Sequence, residues 1–347
     1  MADARDIVFS REGHAGRILL NRPQALNALT HAMCQVLRAR LAAWAAEDDV
    51  KTVVIEGAGE KAFCAGGDVI ALYESGKAGT PAWERFFADE YRMNAAIGAF
   101  AKPYVALLDG IVMGGGVGVS VHGGYRVATE RTLFSMPETG IGLIPDVGGG
   151  HFMPRLPGLS GLYLALTGAR LGPADCMLLG IATHYVPSHR LPDLKAALDG
   201  DADVAAVLGD FHEDPGTPSL TAARLAEINV CFGGASVEAI GQALAKGSDW
   251  ARKTGESMAR LSPTSLKLTL RQMRMGATLD LRATLRMEYR IVSHIKAGHD
   301  FFEGVRALLI DKDKQPRWRP ARLEDVDDAM VARYFTEPAW GDLRFDD

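Results

Sequence analysis

The sequence lacks the features that mark secreted and membrane-spanning proteins. Its four cysteines, Cys34, Cys64, Cys176 and Cys231, are far apart in a chain of 347 residues and form no CxxC pair, so neither a disulfide framework nor a zinc site is predicted. No apolar stretch is long enough to span a bilayer, because Asp, Arg or His interrupts each one. The N-terminus lacks the basic and then apolar segments of a signal peptide. We therefore expect a soluble protein of the cytoplasm.

An excess of charge of one sign is also missing. The chain has 38 Lys and Arg against 43 Asp and Glu, a formal net charge of -5. Proteins that bind nucleic acid or anionic membrane surfaces usually carry a basic excess. Neither partner is predicted here.

Several catalytic and cofactor motifs are absent. No HExxH zinc motif or phosphate-binding G-x-x-x-x-G-K-[ST] loop occurs, and the residues around Ser120 lack the second glycine of a nucleophile elbow. The dinucleotide fingerprint G-x-G-x-x-G fails because Val119 stands where its third glycine should be. His122 and His151 are expected in the core or at its rim rather than as metal ligands. No metal or redox cofactor is predicted.

Strand and helix patterns alternate through the first half of the chain. "DIVFSREGHAGRILLN" predicts a hairpin, and "VKTVVIEGAG" predicts a strand that is buried on both faces. Between them, Thr30 is a plausible N-cap for a helix on which Met33, Val36, Leu37, Leu41 and Trp44 recur at helical spacing. "KPYVALLDGIVMGGG" and "YRVATERTLFSM" repeat the strand pattern. The fold class indicated is α/β with parallel pairing.

The pattern changes near residue 190, which divides the chain into three predicted parts. Residues 1–190 form the α/β core, and residues 191–256 form a helical insertion or linker with weak periodicity. Residues 257–347 form a helical C-terminal region, in which Leu281, Leu285, Tyr289 and Val292 recur at helical spacing.

Two glycine clusters follow strand patterns, "FCAGGDV" at 63–69 and "MGGGVG" at 113–118. Glycine permits tight turns and close helix–strand packing, and for either cluster alone that structural explanation is favoured. A second interpretation remains open, because backbone N–H groups from two loops or a helix N-terminus can bind an oxyanion.

Two acids interrupt the apolar, glycine-rich run "MPETGIGLIPDVGGGHF" at 136–152. Glu138 follows Pro137, and Asp146 follows Pro145. Acids in such apolar surroundings indicate a water-poor site, in which the pKa of a carboxylate is raised toward neutrality. Glu138 is therefore predicted as a general base or a nucleophile. For Asp146, catalysis and the capping of loop N–H groups are equally good explanations.

Taken together, these motifs resemble the enoyl-CoA hydratase/isomerase (crotonase) superfamily. The resemblance rests on "NRPQALNALT", "VVIEGAGEKAFCAGGDV", "KPYVALLDGIVMGGGVGVS" and "MPETGIGLIPDVGGG", in that order. "PDVGGG" and the C-terminal "SPTSLK…EYR…HDFFEGVRALLIDKDKQPRW" indicate a branch that hydrolyses thioesters. The resemblance implies a spiral of ββα units with a helical C-terminal region, no cofactor apart from the coenzyme A of the substrate, and a homo-oligomer, as a trimer or hexamer.

The resemblance also implies roles for residues. It implies an oxyanion hole formed by the N–H groups of Gly67 and Gly115, with Gly114 and Gly116 beside the substrate. The predicted coenzyme A contacts are Arg22, Ala25, Leu26, Ala65, Gly66, Asp68 and Val69.

Three acids complete the set that the resemblance implies. Glu138 matches the catalytic glutamate, Asp146 matches an aspartate of the hydrolase branch, and Glu90 matches an acid near the substrate. Gly118 stands where hydratases carry a second glutamate, which argues against hydration. The expected activity is hydrolysis of a short, branched β-hydroxyacyl-CoA, as in valine breakdown. The alternatives are an enoyl-CoA isomerase or hydratase and a non-catalytic acyl-CoA binding protein.

Overall fold

The chain begins with the expected hairpin, which leads into a mainly parallel sheet. In the computed structural model, which describes residues 6–345, six strands pair in the order β1-β2-β3-β5-β7-β9, and three more pair in the order β4-β6-β8. The strands are β1 (Ile7–Glu12), β2 (Ala15–Leu20), β3 (Thr52–Gly57), β4 (Ala62–Cys64), β5 (Tyr104–Leu108), β6 (Ile111–Met113), β7 (Tyr125–Ala128), β8 (Leu133–Ser135) and β9 (His184–Tyr185). Only β1 and β2 are antiparallel among these neighbours.

Successive strand pairs alternate between the two sheets. β3, β5 and β7 lie side by side in the six-stranded sheet, while the strands that follow each of them, β4, β6 and β8, lie side by side in the three-stranded sheet. Each repeat thus adds one parallel strand to both sheets, in register at Val53–Tyr104 and Ala62–Ile111. This alternation is the repeating ββ arrangement that the resemblance implied.

The helices are listed here in chain order. They are α1 (His31–Ala46), α2 (Val69–Lys77), α3 (Ala82–Gly98), α4 (Gly115–Gly118), α5 (Gly149–Phe152), α6 (Ser160–Thr167), α7 (Pro173–Leu178), α8 (Leu191–Leu198), α9 (Val204–Phe211), α10 (Ala222–Cys231), α11 (Val237–Lys246), α12 (Asp249–Met258), α13 (Pro263–Gly276), α14 (Leu281–Ile295), α15 (Asp300–Val305) and α16 (Asp328–Arg333).

Helix α1 forms where the sequence predicts it. Thr30 is its N-cap, and the Thr30 hydroxyl accepts a hydrogen bond from the Met33 N–H at 3.3 Å. Leu37 and Trp44 are buried on its inner face, whereas Val36, which belongs to the same apolar pattern, is 38% exposed. A position one residue before Leu37 lies about 100° around the helix, at the edge of the buried stripe.

The described chain divides into two compact units. The first unit contains residues up to Asp68 together with Arg92–Ser135 and Arg170–Ser219, and the second contains Val69–Tyr91, Met136–Ala169 and the residues from Leu220 onward. The predicted division into three consecutive parts stays a prediction.

In the first unit, the six-stranded sheet buries one face against α8 and α9. Val54, Val105 and Val127 from the strands share an apolar core with Leu194 and Leu208 from the two helices. Val53 and Ile55, which alternate with Val54 along β3 and point to the opposite face, are also buried. Both faces of this strand are therefore covered, as its continuous β-branched sequence predicts.

In the second unit, an aromatic cluster joins helices that are far apart in sequence. Trp83 of α3 is fully buried and lies 4.8 Å from Phe301 of α15, measured between ring centroids. Its indole N–H donates to the Val292 carbonyl of α14 at 3.0 Å, so the polar end of the ring is also paired.

The described residues bear on the expectations for membranes and cysteines. No helix among residues 6–345 is both long and apolar enough to cross a membrane. All four cysteines lie in this range, are buried and are outside any disulfide there.

The packing of α6 predicts a large effect from a single methyl group. A Cβ on Gly161 would lie 1.8 Å from the Met153 carbonyl oxygen, whereas a Cβ on Gly241, inside α11, would meet nothing within 4 Å. Gly161→Ala should lower the free energy of unfolding by about 1–3 kcal/mol through overpacking. Gly241→Ala should raise it by up to about 1 kcal/mol, since Ala favours a helix. Urea denaturation of both variants tests this, and equal midpoints would contradict the assigned packing.

Candidate active site

In the first unit, the two glycine clusters lie next to each other. Strands β4 and β6 are parallel neighbours, so the loops that follow Cys64 and Met113 leave the same edge of the three-stranded sheet. A Cβ on Gly66 would lie 3.9 Å from the Gly115 nitrogen, which measures how closely the loops approach. Gly115 is the first residue of α4. Among residues 6–345, neither the Gly67 N–H nor the Gly115 N–H donates a hydrogen bond. Both are therefore available to an external acceptor.

The structural explanation of the glycines also holds for Gly114 and Gly116. Gly114 has φ 47° and ψ −120°, a conformation that other residues avoid. A Cβ on Gly116 would lie 2.1 Å from the Cys64 carbonyl oxygen, so only glycine lets α4 pack this closely on β4. Close packing and the presentation of free N–H groups are thus properties of the same cluster.

Most of the predicted coenzyme A contacts come together on two hydrogen-bonded segments of the first unit, 22–29 and 65–68. Ala65 donates its N–H to the Leu26 carbonyl at 3.0 Å, and Leu29 donates to the Gly66 carbonyl at 2.8 Å. Leu26 has φ 50°, a left-handed conformation, and its side chain is half-buried. Ala25 lies in the same turn and is half-buried. Val69 belongs to the second unit, where it is the first residue of α2.

Arg22 already has partners within the protein. Its guanidinium donates to Asp68 Oδ2 at 3.1 Å and to the Ala28 carbonyl at 2.6 Å, and its side chain is 16% exposed. These contacts fix segment 22–29 against Asp68. A phosphate group would have to share the guanidinium with that carboxylate.

In the second unit, three predicted acids form part of one buried cluster. Glu138 begins a short 3₁₀ turn after Pro137, Asp146 lies in the glycine-rich turn before α5, and Glu90 lies on α3. Their exposed fractions are 6%, 4% and 2%. Glu90 Oε1 and Glu138 Oε2 are buried and accept no hydrogen bond within the described residues.

Burial dominates the electrostatics of these acids. Removal from water raises the pKa of Glu138 well above its usual value, and the negative charge of Asp146 raises it further. Burial likewise raises the pKa of Glu90, with additional contributions from Asp146 and Glu138. The pKa of Asp146 rises to about 6 because of burial, opposed by a hydrogen bond from Tyr91. A cluster of this kind exchanges protons near neutral pH.

Three residues that sequence reasoning missed complete this cluster. Tyr91 donates its hydroxyl proton to Asp146 Oδ2 at 2.6 Å. Glu288 of α14 accepts from the Gly148 N–H, and Gln272 of α13 donates to Glu288. Burial and the charge of Asp146 raise the pKa of Glu288 to about 8, against the effect of its N–H donors. We use the name acid cluster for Glu90, Glu138, Asp146 and Glu288.

A sequence signal for Glu288 was present. It lies three residues after Leu285 and four before Val292, and both of these were predicted on the buried face of the helix. A carboxylate on that face is unusual, because buried acids are rare unless they are paired. Tyr91 carries no comparable signal, since a tyrosine beside Glu90 fits any amphipathic helix.

Asp146 is presented by a strained turn. Val147, the next residue, has φ 51°, and Gly148 has φ 83°. A left-handed conformation costs a β-branched residue on the order of 1–3 kcal/mol and persists only where the surroundings impose it. The turn Pro145–Gly150, here called the Asp146 turn, is therefore held by contacts from other elements.

A family model described as enoyl-CoA hydratase/isomerase matches residues 15–335 of the chain. The chain is also similar to proteins named 3-hydroxyisobutyryl-CoA hydrolase, mitochondrial. The one from Gallus gallus is 49% identical over 351 residues, which cover 98% of this chain and 91% of the relative. The one from Homo sapiens is 45% identical over 352 residues, with 99% and 91% covered.

Two crystal structures superpose on nearly the whole chain. One is of a carnitinyl-CoA dehydratase from Mycobacterium thermoresistibile, with TM-score 0.93, 44% identity, and coverage of 98% of this chain and 99% of that one. The other is of an enoyl-CoA hydratase from Rhodobacter sphaeroides 2.4.1, with TM-score 0.90, 41% identity, and coverage of 98% and 100%. The expected α/β fold with a helical C-terminal region is confirmed. The chain belongs to the enoyl-CoA hydratase/isomerase family.

Proposed function

We propose that this chain hydrolyses the thioester of 3-hydroxyisobutyryl-CoA to the free acid and coenzyme A. Relatives that are 45–49% identical over almost its entire length carry the name of that hydrolase. The observation that carries the proposal is the state of Glu138, whose carboxylate is buried, has a raised pKa and keeps Oε2 without a partner in residues 6–345. Such a group is suited to proton transfer or to nucleophilic attack at neutral pH.

Glu138 acts on the thioester carbonyl in one of two ways. It takes a proton from an attacking water, or its carboxylate attacks the carbonyl carbon to give a mixed anhydride that water then hydrolyses. Either route breaks the carbon–sulfur bond and releases the thiol of coenzyme A. No oxidation state changes, so no redox cofactor enters the proposal.

The N–H groups of Gly67 and Gly115 have the role of an oxyanion hole. The carbonyl oxygen gains negative charge as the tetrahedral intermediate forms, so these donors stabilise the transition state more than the bound ester. That both N–H groups lack an acceptor in the described chain supports this role.

Asp146 accepts a hydrogen bond from the 3-hydroxyl of the substrate, or it orients the attacking water. Glu90 is a second acid near the acyl group. Tyr91 occupies Oδ2 of Asp146, which leaves the other carboxylate oxygen as an acceptor. A buried acceptor aimed at a hydroxyl disfavours the ester that lacks it, because the acceptor is then left unpaired.

The rival activities act on the same class of substrate. A hydratase needs a second acid, and Gly118 in α4 supplies none. Thiol release from (S)-3-hydroxyisobutyryl-CoA, isobutyryl-CoA and crotonyl-CoA, followed with a thiol-reactive dye, separates the alternatives. Release from the hydroxylated ester supports the hydrolase. A change in enoyl absorbance without thiol release would indicate the hydratase or isomerase branch instead, and binding without turnover would indicate a binding protein.

Location and assembly are further parts of the proposal. The buried cysteines, outside any disulfide in residues 6–345, support a reducing compartment such as the cytoplasm. The relatives are named as mitochondrial, so cell fractionation is the test. A homo-oligomer, trimer or hexamer, is proposed from the family resemblance, and light scattering measures its mass.

Glu138→Gln should lower kcat by at least about 10²-fold, because the amide keeps the size of the side chain but neither accepts a proton nor attacks a carbonyl. Binding of the coenzyme A ester, measured by calorimetry, should change little. Glu256→Gln, at an exposed position of α12, is the control and should retain wild-type kcat. Near-wild-type turnover by the Glu138 variant would show that another group is catalytic.

Asp146→Asn should reduce turnover less and should blunt the discrimination between hydroxylated and plain esters. The expected loss in the ratio of their kcat/KM values is about 10-fold, since an unpaired buried polar group costs on the order of 1–3 kcal/mol. Steady-state kinetics with 3-hydroxyisobutyryl-CoA and isobutyryl-CoA measure the ratio. Equal losses on both esters would exclude the recognition of the hydroxyl.

The pH profile should show the raised pKa of Glu138. Its basic form gains population as pH rises, so kcat/KM should increase along a limb above the range where an exposed glutamate ionises. Asp146→Asn removes a negative charge that raises the pKa of Glu138, so the limb should move to lower pH. A limb that stays in place or moves upward would contradict this electrostatic coupling.

A further inference from the structure

Glu288 is a buried carboxylate that the proposed reaction does not use. It is fully buried on α14, and no cation pairs with it among residues 6–345. All of its hydrogen-bond partners are N–H groups. Oε2 accepts from Gly148 at 2.7 Å, and Oε1 accepts from Gly150 at 2.8 Å and from the Gln272 side chain at 2.9 Å. Two of the three donors belong to the Asp146 turn.

Gln272 holds the other side of the same turn. Its Nε2 donates to the Pro145 carbonyl at 2.7 Å and also to Glu288. Peptide groups before and after Asp146 are therefore tied to one pair of side chains. The fit is close, because a Cβ on Gly150 would lie 3.1 Å from both Glu288 Oε1 and Gln272 Cγ.

The turn depends on such contacts for its shape. The left-handed Val147 is unfavourable by itself, and the N–H groups on its C-terminal side find their acceptor in Glu288 rather than in a neighbouring strand. Tyr91 fixes the Asp146 carboxylate itself, through Oδ2. Backbone and side chain of this aspartate thus have separate restraints.

We propose that Glu288, together with Gln272, is a positioning residue that fixes the Asp146 turn and so sets the selectivity of the enzyme for hydroxylated acyl groups. The inference rests on the proposed function, in which Asp146 reads the 3-hydroxyl. Neither residue contacts the reacting atoms in this role. They act through the direction in which Asp146 presents its carboxylate.

The test compares kcat/KM for 3-hydroxyisobutyryl-CoA and isobutyryl-CoA in the wild-type protein and in Glu288→Gln, Gln272→Met and Asp146→Asn. The amide that Glu288→Gln introduces turns an N–H toward one of three donors, so at least one contact is lost. Gln272→Met keeps the volume, keeps both glycine contacts of Glu288, and loses the contact to Pro145. Thr269→Val on α13 and Ser293→Ala on α14 are controls, since both hydroxyls are buried and lack a partner in the described chain.

We expect both positioning variants to lower kcat/KM for the hydroxylated ester by up to about 10-fold, no more than the change expected for Asp146→Asn, because they act through that residue. The plain ester should lose much less, so the ratio approaches that of Asp146→Asn, and both controls should keep it. In the wild type, the ratio should also rise with pH, through about 6 as Asp146 ionises and again through about 8 as Glu288 ionises and can accept from all three of its N–H donors. In Glu288→Gln, it should stay low at every pH.

Equal losses on both esters, with a lowered melting temperature, would assign Glu288 a purely structural role and overturn the inference. An unchanged ratio in Gln272→Met would do the same even if Glu288→Gln fails to fold. If Asp146→Asn itself leaves the ratio unchanged, the recognition of the hydroxyl is wrong, and the inference falls with it. A changed ratio in Asp146→Asn alone would leave the proposed function standing and remove only the inference.

Discussion

The acid cluster buries four carboxyl groups, and none of them pairs with a cation among residues 6–345. The structure of the second unit has to compensate for the unfavourable free energy of this burial. An ionised carboxylate in a poorly hydrated interior is unfavourable unless hydrogen bonds or protonation compensate. The chain uses both. Tyr91 and backbone N–H groups donate to Asp146 and Glu288, while raised pKa values let part of the cluster stay protonated near neutrality. The same energetic problem supports the proposed chemistry, because a carboxylate with a raised pKa is a stronger proton acceptor once it is ionised.

The structural role of the glycines and their proposed catalytic role are also inseparable. Gly116 is glycine because a side chain would collide with the Cys64 carbonyl, and the close approach that results places the first turn of α4 at the edge of the three-stranded sheet. The N–H group of Gly115 is unpaired because it begins that helix. An explanation by packing and an explanation by oxyanion binding therefore describe the same geometry. A substitution at Gly116 would disturb both.

The sequence predicts local features well and long-range contacts poorly, for identifiable reasons. Thr30 could be recognised as an N-cap because the residues that it serves are three positions away. Glu138 and Asp146 stood out because charge is conspicuous in an apolar run. Glu288 pairs with a residue 140 positions earlier, and no local pattern encodes that distance. Arg22 shows the opposite limit, since a basic side chain that was predicted to contact coenzyme A donates to Asp68.

The distance between Glu288 and the Asp146 turn has a consequence for synthesis on the ribosome. The acceptor of the Gly148 N–H is translated 140 residues after its donor, an interval of about 7–28 s at 5–20 residues per second. Throughout that interval, the nascent chain already contains Asp146 but lacks Glu288, which accepts from two N–H groups of the Asp146 turn. In the six-stranded sheet, by contrast, the paired residues of β3 and β5 and of β5 and β7 are only a few tens of positions apart in the sequence. The acid cluster is thus completed late in the synthesis and folding of each chain, because α14, which carries Glu288, must first leave the exit tunnel.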